Sequence, residues 1–252
     1  MSDRIKSCDK YLDLSNCDLK EIPKDIPVHV EYLFLSDNKI THINNIDHLT
    51  NLISIDFSSN RLVKLENIPE QVQEISARNN KLQDISIIRE LKDLKRLDVS
   101  YNLINIIPTN YAESIVADYN KVNKLEYMPF VSSLSCSFNL LENITGDNLP
   151  VVSEFDCSNN NIKYIRGFNC LELLHCSCNM LEEIKNMNRL KYLDCTDNNI
   201  KYIEYFSTLE ELVCSYNKEM RISRKYKVKN THHCKNYILI TLNNHDNHDN
   251  QV

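Results

Sequence analysis

Leu190-Lys191-Tyr192-Leu193-Asp194-Cys195-Thr196-Asp197-Asn198-Asn199-Ile200 is the stretch that decides the fold, because its pattern recurs along most of the chain. The pattern is L-x-x-L-x-L-x-x-N-x-L, and its Asn position returns every 18 to 22 residues. The residues at that position, hereafter the frame Asn positions, are Cys17, Asn38, Asn60, Asn80, Asn102, Asn120, Asn139, Asn160, Asn179, Asn198 and Asn217. Such a regular short period predicts an array of small repeated units.

The frame resembles the leucine-rich repeat family over about residues 8 to 222. The resemblance implies an α/β-type leucine-rich repeat solenoid, a right-handed superhelix with about eleven short parallel strands on its concave face. Ile22-Pro23 and Ile68-Pro69 are similar to the short bacterial-type repeat, whose convex side is extended. Other convex segments place apolar residues every three positions, which resembles the phosphatase-regulator and internalin types and suits 3₁₀ turns. We therefore expect a convex side that is mostly extended or 3₁₀ with little α-helix, for which residues 84 to 91 are the best candidate.

Side chains of a strand alternate between its two faces, so the frame also predicts burial. In the quoted repeat, Leu193 and Cys195 point inward, whereas Tyr192, Asp194 and Thr196 point outward. The frame Asn is the polar member of the interior, and it persists there only if its amide pairs with backbone groups. Stacked copies from Asn38 to Asn217 are therefore expected to form a structural ladder.

The chain divides by pattern into three segments. We expect a minimal amino-terminal cap at residues 1–10, the solenoid at residues 11–222, and a basic segment with a polar tail at residues 223–252. Within the last segment, residues 237–242 read as a strand that could cap the open end of the array. The sixth repeat has small inward residues, Ala112 and Ala117, so its filling is thinner than elsewhere.

The composition limits the classes of partner and the location that the chain can have. The 252 residues carry a net charge of -6, which argues against a nucleic-acid partner because phosphates require a basic surface. Neither a secretion signal nor a membrane-spanning stretch is apparent, so we expect a cytoplasmic protein without a membrane partner. The composition and the short irregular repeats also resemble those of leucine-rich repeat proteins from giant amoeba-infecting viruses or AT-rich protists, and for a viral protein the location would be the host cytoplasm.

Half of the ten cysteines share one inward frame position, three before the Asn. They are Cys136, Cys157, Cys176, Cys195 and Cys214. Side chains in register on parallel strands point the same way, so their β-carbons stay roughly 4.8 Å apart, which is wider than the ~3.8 Å of a disulfide. We expect free thiols that act as small apolar core residues.

The outward positions, six, four and two before the frame Asn, carry nine acidic residues and two arginines. An acidic concave face would attract a basic partner surface. The residues that depart from the repeating Asp and Ser concentrate in repeats four to seven and mix aromatic with charged groups, as interface anchors do. We predict partner-binding residues Glu74, Arg78, Arg96, Asp98, Tyr101, Asp118, Tyr119 and Phe138.

Two other interpretations of the outward face stay open. Asp and Ser are common in these positions of the family and could merely solvate the sheet. Tyr11, Tyr32 and Phe34 form a second aromatic cluster near the amino-terminal end.

Sites for catalysis or metal binding are weakly indicated. His175 shares one column with Asp156 and Asp194, which could raise its pKa or bind a metal, with Cys178 close by. No oxyanion hole or phosphate loop accompanies this group. A second metal candidate is the tail, but its spacings match no compact zinc framework. Its residues are His232, His233, Cys234, His245, Asp246, His248 and Asp249.

We therefore predict a non-catalytic protein-protein interaction module, a monomer without cofactor or metal, that binds a partner protein with a basic surface through its acidic concave face. One alternative is a target-recognition adaptor for ubiquitin ligation, although the chain has neither an F-box segment nor a carboxy-terminal ligase domain. The other alternative is a metal- or thiol-dependent enzyme.

Overall fold

A computed structural model describes residues 5, 7–218, 220–234 and 237–243, which fall into two compact units, Met1–Leu140 and Leu141–Val252. Within residues 7–140, the first unit has one parallel sheet of seven three-residue strands. These strands are β1 (Tyr11–Asp13), β2 (Tyr32–Phe34), β3 (Ser54–Asp56), β4 (Glu74–Ser76), β5 (Arg96–Asp98), β7 (Ser114–Val116) and β9 (Ser133–Ser135). Two further strands, β6 (Ile106–Ile107) and β8 (Lys124–Leu125), pair with each other in parallel elsewhere in the same unit.

The described part of the second unit continues the same pattern with four parallel strands. They are β11 (Glu154–Asp156), β13 (Leu173–His175), β15 (Tyr192–Asp194) and β17 (Glu211–Val213). The two units together thus contain eleven repeats in the described residues, which confirms the predicted leucine-rich repeat solenoid and its strand number.

Two short outer sheets, one of three strands and one of two, run along the other side of the repeats in the second unit. They consist of β10 (Asn143–Thr145), β12 (Tyr164–Arg166), β14 (Glu183–Lys185), β16 (Tyr202–Ile203) and β18 (Arg221–Ile222). Strand β12 pairs with β10 and β14, and β16 pairs with β18, all in parallel. Between residues 8 and 218, helical structure is limited to two 3₁₀ helices, Ser86–Arg89 and Gly146–Asn148. The segment expected to be the best α-helix candidate is therefore a 3₁₀ turn, as its three-residue apolar spacing favours.

Each inner strand buries its central residue, and its flanking residues are half-buried or exposed except for Val213 of β17, which is buried. Leu33 and Leu193 are fully buried, and so are Leu35 and Cys195, which follow the same strands. In the thin sixth repeat, Ala112 and Ala117 are fully buried as well. The inward assignment made from the frame is therefore confirmed. The outward assignment is wrong for four residues two before the frame Asn, because these short side chains are covered by their neighbours: Ser100, Ser137, Ser158 and Ser215 are buried.

The frame Asn side chains hold successive repeats together through backbone hydrogen bonds. Asn102 Nδ2 donates to the carbonyls of Val99 and Ser100 in its own repeat and of Ala77 in the preceding repeat, at 3.0 to 3.1 Å. Its Oδ1 accepts the backbone N–H of Leu82 at 2.8 Å. The Asn102 oxygen thus satisfies the buried Leu82 N–H, while the Ala77 and Val99 carbonyls each accept from two successive frame Asn side chains.

Cys136 in the first unit and Cys157, Cys176, Cys195 and Cys214 in the second unit are buried free thiols, as predicted. Burial raises the pKa of the Cys176 and Cys195 thiols well above their usual range. These residues therefore act as small apolar side chains at neutral pH.

The carboxy-terminal end of the described chain is closed by a hairpin. Strand β20 (Tyr237–Asn243) pairs antiparallel with β17, and β19 (Lys227–Cys234) pairs antiparallel with β20. Tyr226 supports the last repeats because its hydroxyl accepts the N–H of Phe206 at 2.8 Å and donates to the carbonyl of Glu204 at 2.9 Å. Burial raises the pKa of Tyr226 to about 12, so the hydroxyl stays protonated.

Candidate functional site

One backbone position in every repeat adopts a left-handed conformation, and it presents its side chain outside the core. It lies immediately before the frame Asn, and its φ values fall between 53° and 56° in the described residues. We call these residues the left-handed column: Asn16, Asp37, Ser59, Asn79, Tyr101, Tyr119, Phe138, Asn159, Cys178, Asp197 and Tyr216. Asn and Asp tolerate this conformation because their short polar side chains bond locally, whereas bulky residues rarely adopt it.

Aromatic residues occupy three consecutive positions of this column in the first unit. Tyr101 and Tyr119 stack with ring centroids 4.4 Å apart, and Tyr119 and Phe138 stack at 4.2 Å. The guanidinium carbon of Arg78 lies 4.8 Å from the centroid of the Tyr101 ring, at the end of the stack. We call these four residues the aromatic ridge. Its three rings stay 41 to 43% exposed, so they form a continuous apolar surface in water.

The pKa of Tyr119 is raised because its surroundings disfavour the phenolate. Partial desolvation is the larger cause, and the Tyr101 hydroxyl and the Asp118 carboxylate add to it. The Tyr119 hydroxyl therefore remains a neutral donor and acceptor at physiological pH.

Beside the ridge, the outward side chains of β2 to β7 line a shallow depression of about 400 Å³. Its charged lining consists of Asp56, Glu74, Arg96 and Asp98. Arg96 donates to the Glu74 carboxylate on the neighbouring strand, which neutralises part of this charge. The outward positions of the first unit nevertheless carry five acids against Arg78 and Arg96: Asp13, Asp56, Glu74, Asp98 and Asp118.

Two of the predicted partner-binding residues also have local structural partners. Asp98 accepts the N–H and the hydroxyl of Ser100, at 2.9 and 2.6 Å, and closes its own turn. Asp118 accepts the Ser137 N–H and the Ser135 hydroxyl, both at 2.7 Å, and so serves the following repeat. These partners are all uncharged hydroxyl and amide groups.

The eight predicted residues thus all lie on the first unit, but they separate by geometry. Arg78, Tyr101, Tyr119 and Phe138 form the ridge, Glu74 and Arg96 form an ion pair in the depression, and Asp98 and Asp118 cap turns. The other aromatic cluster is smaller: Tyr11 stacks on Tyr32 at 4.5 Å, while Phe34 is half-buried.

A second exposed aromatic pair precedes strands β7 and β9, at the strand ends opposite to Tyr119 and Phe138. It was not predicted from the sequence. Tyr111 and Phe130 stack with centroids 5.8 Å apart and are 38% and 50% exposed. Both lie nine residues before a frame Asn, so scanning that position along the repeats would have identified them.

The geometry gives little support to the residues considered for catalysis or metal binding. His175 pairs in register with Asp156 and Asp194, and its ring packs against Tyr192 at 5.0 Å. Among the described residues, no group of three His, Cys, Asp or Glu side chains is arranged to hold a metal ion. The tail candidates from His232 to Asp249 lie outside the part of the chain whose side chains the structure describes. In the described residues, no helix has the length and apolar character needed to cross a bilayer.

Comparison with known proteins places these features in context. The family model described as Leucine Rich Repeat matches residues 10–28. Lumican of Rattus norvegicus is 27% identical over 147 residues, which are 56% of this chain and 38% of lumican. The chain therefore spans well under half the length of this curated relative.

Solved structures share the fold at low identity. The LRIM1/APL1C complex matches with a TM-score of 0.71 at 21% identity, over 85% of this chain and 50% of that one. The functional domain of InlJ from Listeria monocytogenes, which includes a cysteine ladder, matches with a TM-score of 0.60 at 17% identity, over 84% of this chain and 54% of that one.

Proposed function

We propose that this chain, which folds as a leucine-rich repeat solenoid, is a non-catalytic module that binds a partner protein through the aromatic ridge and the adjacent acidic depression of its first unit. The observation that carries this proposal is the run of three stacked, exposed aromatic residues in consecutive left-handed positions. The fold supports a protein partner, since repeat solenoids present extended binding surfaces, and LRIM1 with APL1C forms a complex on a similar scaffold.

Folding alone gives little reason for this ridge. A left-handed conformation costs an ordinary residue about 1–2 kcal/mol, while each aromatic stack returns about 0.5–1.5 kcal/mol. Three such residues cost about 3–6 kcal/mol and their two stacks return about 1–3 kcal/mol, so stacking does not offset the backbone cost. Asn or Asp would fill the same position at a lower cost, as in Asn79 or Asp197. Rings held at such positions on the surface are therefore better explained by binding, where Tyr and Arg dominate interface energies.

The charge around the ridge selects the partner. Five outward acids face two arginines in the first unit, and one of those arginines is paired with Glu74. A partner with a basic surface would be attracted, and the association rate would fall as salt screens the field. The same net negative charge disfavours self-association, so the proposed state of the free protein is a monomer.

The test replaces Tyr101 and Tyr119 together by Asn, which suits the left-handed backbone. We expect the free energy of unfolding to stay within about 1 kcal/mol of the wild-type value, because the lost stacking is offset by relief of the backbone cost. We also expect partner capture to fall at least about tenfold, measured by quantitative affinity purification from cells that express the chain.

Tyr216→Asn is the matched control, because Tyr216 occupies the same backbone position in the second unit, with φ 54° and 58% exposure. It should leave the captured proteins unchanged. An unchanged set of partners for the Tyr101→Asn/Tyr119→Asn variant would refute the proposed surface.

A further inference from the structure

Four cysteines of the second unit form a column of buried thiols along the inner sheet. Each comes directly after one of the strands β11, β13, β15 and β17: Cys157, Cys176, Cys195 and Cys214. These strands pair in register and in parallel, so each cysteine lies beside the next one. We call these four residues the thiol column. The proposed partner surface does not involve them, although sulfur is the softest metal ligand that a protein offers.

The thiols of three consecutive layers have the same orientation. Cys157, Cys176 and Cys195 each direct Sγ toward the backbone oxygen of the residue that precedes the next cysteine, at 3.3 to 3.5 Å. Because the side-chain conformation repeats, successive sulfur atoms are separated by one strand step of about 4.8 Å. The thiols also influence one another. Burial is the main cause that raises the pKa of Cys195, and the neighbouring thiols of Cys176 and Cys214 add to it.

This spacing distinguishes the reactions open to two neighbouring thiols. A disulfide requires β-carbons about 3.8 Å apart, which is closer than one strand step of ~4.8 Å. A metal–sulfur bond is about 2.3 Å long, so an ion on the line between two sulfur atoms joins them over ~4.6 Å. The thiol column therefore suits linear coordination of an ion by two sulfur atoms, whereas a disulfide would require the strands to move.

Burial also selects the charge of the ion. The four thiols are at most 3% exposed, so a complex with a net charge would be costly. A monovalent ion that displaces one thiol proton binds one thiolate and one neutral thiol, and the proton leaves for solvent. The resulting complex is neutral and involves no change of oxidation state. Sulfur ligands favour the soft ions Cu(I) and Ag(I) over Mg²⁺ or Ca²⁺.

A zinc ion is a poor occupant for a different reason. Structural Zn²⁺ takes four ligands in a tetrahedron. Within the described part of the chain, no three His, Cys, Asp or Glu side chains converge on one point that could hold a metal. Two sulfur atoms in line are enough only for an ion that accepts two ligands.

We propose that the thiol column binds soft monovalent metal ions of the Cu(I) class, each held in line between two successive sulfur atoms. Since every ion uses two neighbouring thiols, four thiols hold at most two ions. The ions enter when the layers open, because the closed layers cover the sulfur atoms. This inference is independent of the proposed partner surface on the first unit, and it replaces the expectation from the sequence of a chain without a metal.

The experiment counts Ag⁺ ions bound to the full chain, because Ag⁺ needs no reductant. The protein is incubated with silver nitrate in chloride-free buffer with dilute urea, which lets the layers open. It is then returned to buffer with excess glutathione, which removes silver from exposed thiols, and the metal is counted by mass spectrometry after gel filtration. Two double variants lose the same number of core thiols. Cys157→Ala/Cys195→Ala leaves no neighbouring pair in the column, whereas Cys157→Ala/Cys176→Ala keeps Cys195 beside Cys214.

We expect about two ions in the wild type, one in Cys157→Ala/Cys176→Ala and none in Cys157→Ala/Cys195→Ala. X-ray absorption of the silver-loaded wild type should show two sulfur ligands. Silver should also raise the urea midpoint of the two chains that bind it and leave that of the third unchanged, because binding to the folded layers stabilises them. Circular dichroism without silver checks that both variants fold.

Equal silver contents of the two double variants would overturn the proposal, since binding would then depend on the number of thiols and not on their adjacency. Absence of silver from the wild type, or three or more ligands in the absorption spectrum, would overturn it as well. If Cys157→Ala/Cys195→Ala does not fold, Cys195→Ala replaces it. That variant isolates Cys214 and should hold one ion, and two ions would contradict the pairing.

Discussion

At the scale of single residues, the frame Asn satisfies backbone groups that the strands leave unpaired. Asn38 shows this most fully, because its Oδ1 accepts both the Cys17 N–H at 3.1 Å and the Leu19 N–H at 2.9 Å. Cys17, at the same position of the first repeat, has a weak thiol donor that lies 3.4 Å from the Ser15 carbonyl. An amide suits the later repeats because its nitrogen donates to backbone carbonyls while its oxygen accepts backbone N–H groups.

Asn102→Ala tests the contribution of one ladder residue. The substitution removes the acceptor of the buried Leu82 N–H, and an unsatisfied buried group costs about 1–3 kcal/mol. The Ala77 and Val99 carbonyls lose one donor each but still accept from Asn80 and Asn120. We expect a loss of about 1–3 kcal/mol in the free energy of unfolding, measured by urea denaturation. Asn105→Ala, at an exposed position of the next segment, is the control and should change stability by less than about 0.5 kcal/mol. A loss below about 1 kcal/mol for Asn102→Ala would contradict this account of the ladder.

At the scale of elements, the three-stranded outer sheet of the second unit brings two loops into close backbone contact. The two glycines of the chain lie at this contact, Gly146 after β10 and Gly167 after β12. A β-carbon at Gly146 would lie 2.0 Å from the Gly167 carbonyl oxygen and 2.9 Å from the Phe168 α-carbon. Gly167 has room for a side chain but requires φ +79°. The two positions thus need glycine for different reasons, space at one and backbone conformation at the other.

Gly146→Ala is therefore expected to be strongly destabilising, by at least about 3 kcal/mol, because the clashing atoms belong to the backbone and cannot rotate away. Gly167→Asn should cost less than about 1 kcal/mol, since Asn tolerates the left-handed region and meets no close atom. Urea denaturation of both variants gives the comparison. Equal costs at the two positions would mean that the contact relaxes, contrary to the geometry described.

At the scale of the whole molecule, the repeats of each unit stack on their neighbours, and stability comes from these neighbouring layers. The core thiols lie inside the layers, with Cys136 in the first unit and Cys157, Cys176, Cys195 and Cys214 in the second. All five are buried, and burial also raises the pKa of the Cys176 and Cys195 thiols, so their modification reports the opening of the layers around them.

Native-state labelling with iodoacetamide at about pH 8, near the usual thiol pKa, should therefore be selective. We expect the exposed Cys178 to react first, although desolvation and Asp197 raise the pKa of its thiol. The column cysteines should react at least about a hundredfold more slowly, because their modification awaits unfolding. Mass spectrometry of peptides checks the order. The Gly146→Ala variant is the internal control, and it should accelerate labelling of Cys157 more than that of Cys136. Equal rates for Cys178 and Cys195 in the wild type would show that the column is open to solvent.

The parts of the fold that could be predicted from the sequence are those set by the pattern within one repeat. The strands, the buried column and the frame Asn follow from a period of two within a longer repeat, so positions such as Leu193 and Cys195 could be assigned correctly. The segment of residues 84 to 91 contains the 3₁₀ helix Ser86–Arg89 because its apolar residues are spaced three apart. The same spacing in other repeats is compatible with extended outer strands. Those outer strands, such as Ile106–Ile107, are too short for a sequence signal of their own.

The candidate site was predictable only in part for the same reason. The cluster of aromatic and charged residues in repeats four to seven is visible in the frame, but its stacking is not. The capping partners of Asp98 and Asp118 depend on turn geometry, and the Tyr111–Phe130 pair lies at a position outside the outward strand columns. The positions six, four and two before the frame Asn therefore gave an incomplete picture of the surface.

The left-handed column has a consequence for how such a surface can be altered. Its side chains lie outside the core, and the frame Asn that follows each of them holds the backbone. One residue per repeat can therefore be substituted without repacking the interior. The side chains at consecutive positions of the column therefore decide the character of this surface. Tyr101, Tyr119 and Phe138 make it aromatic, whereas Asn79 and Asn159 are polar. Replacing Asn159, Cys178 and Asp197 with aromatic residues would place a similar row of exposed rings on the second unit.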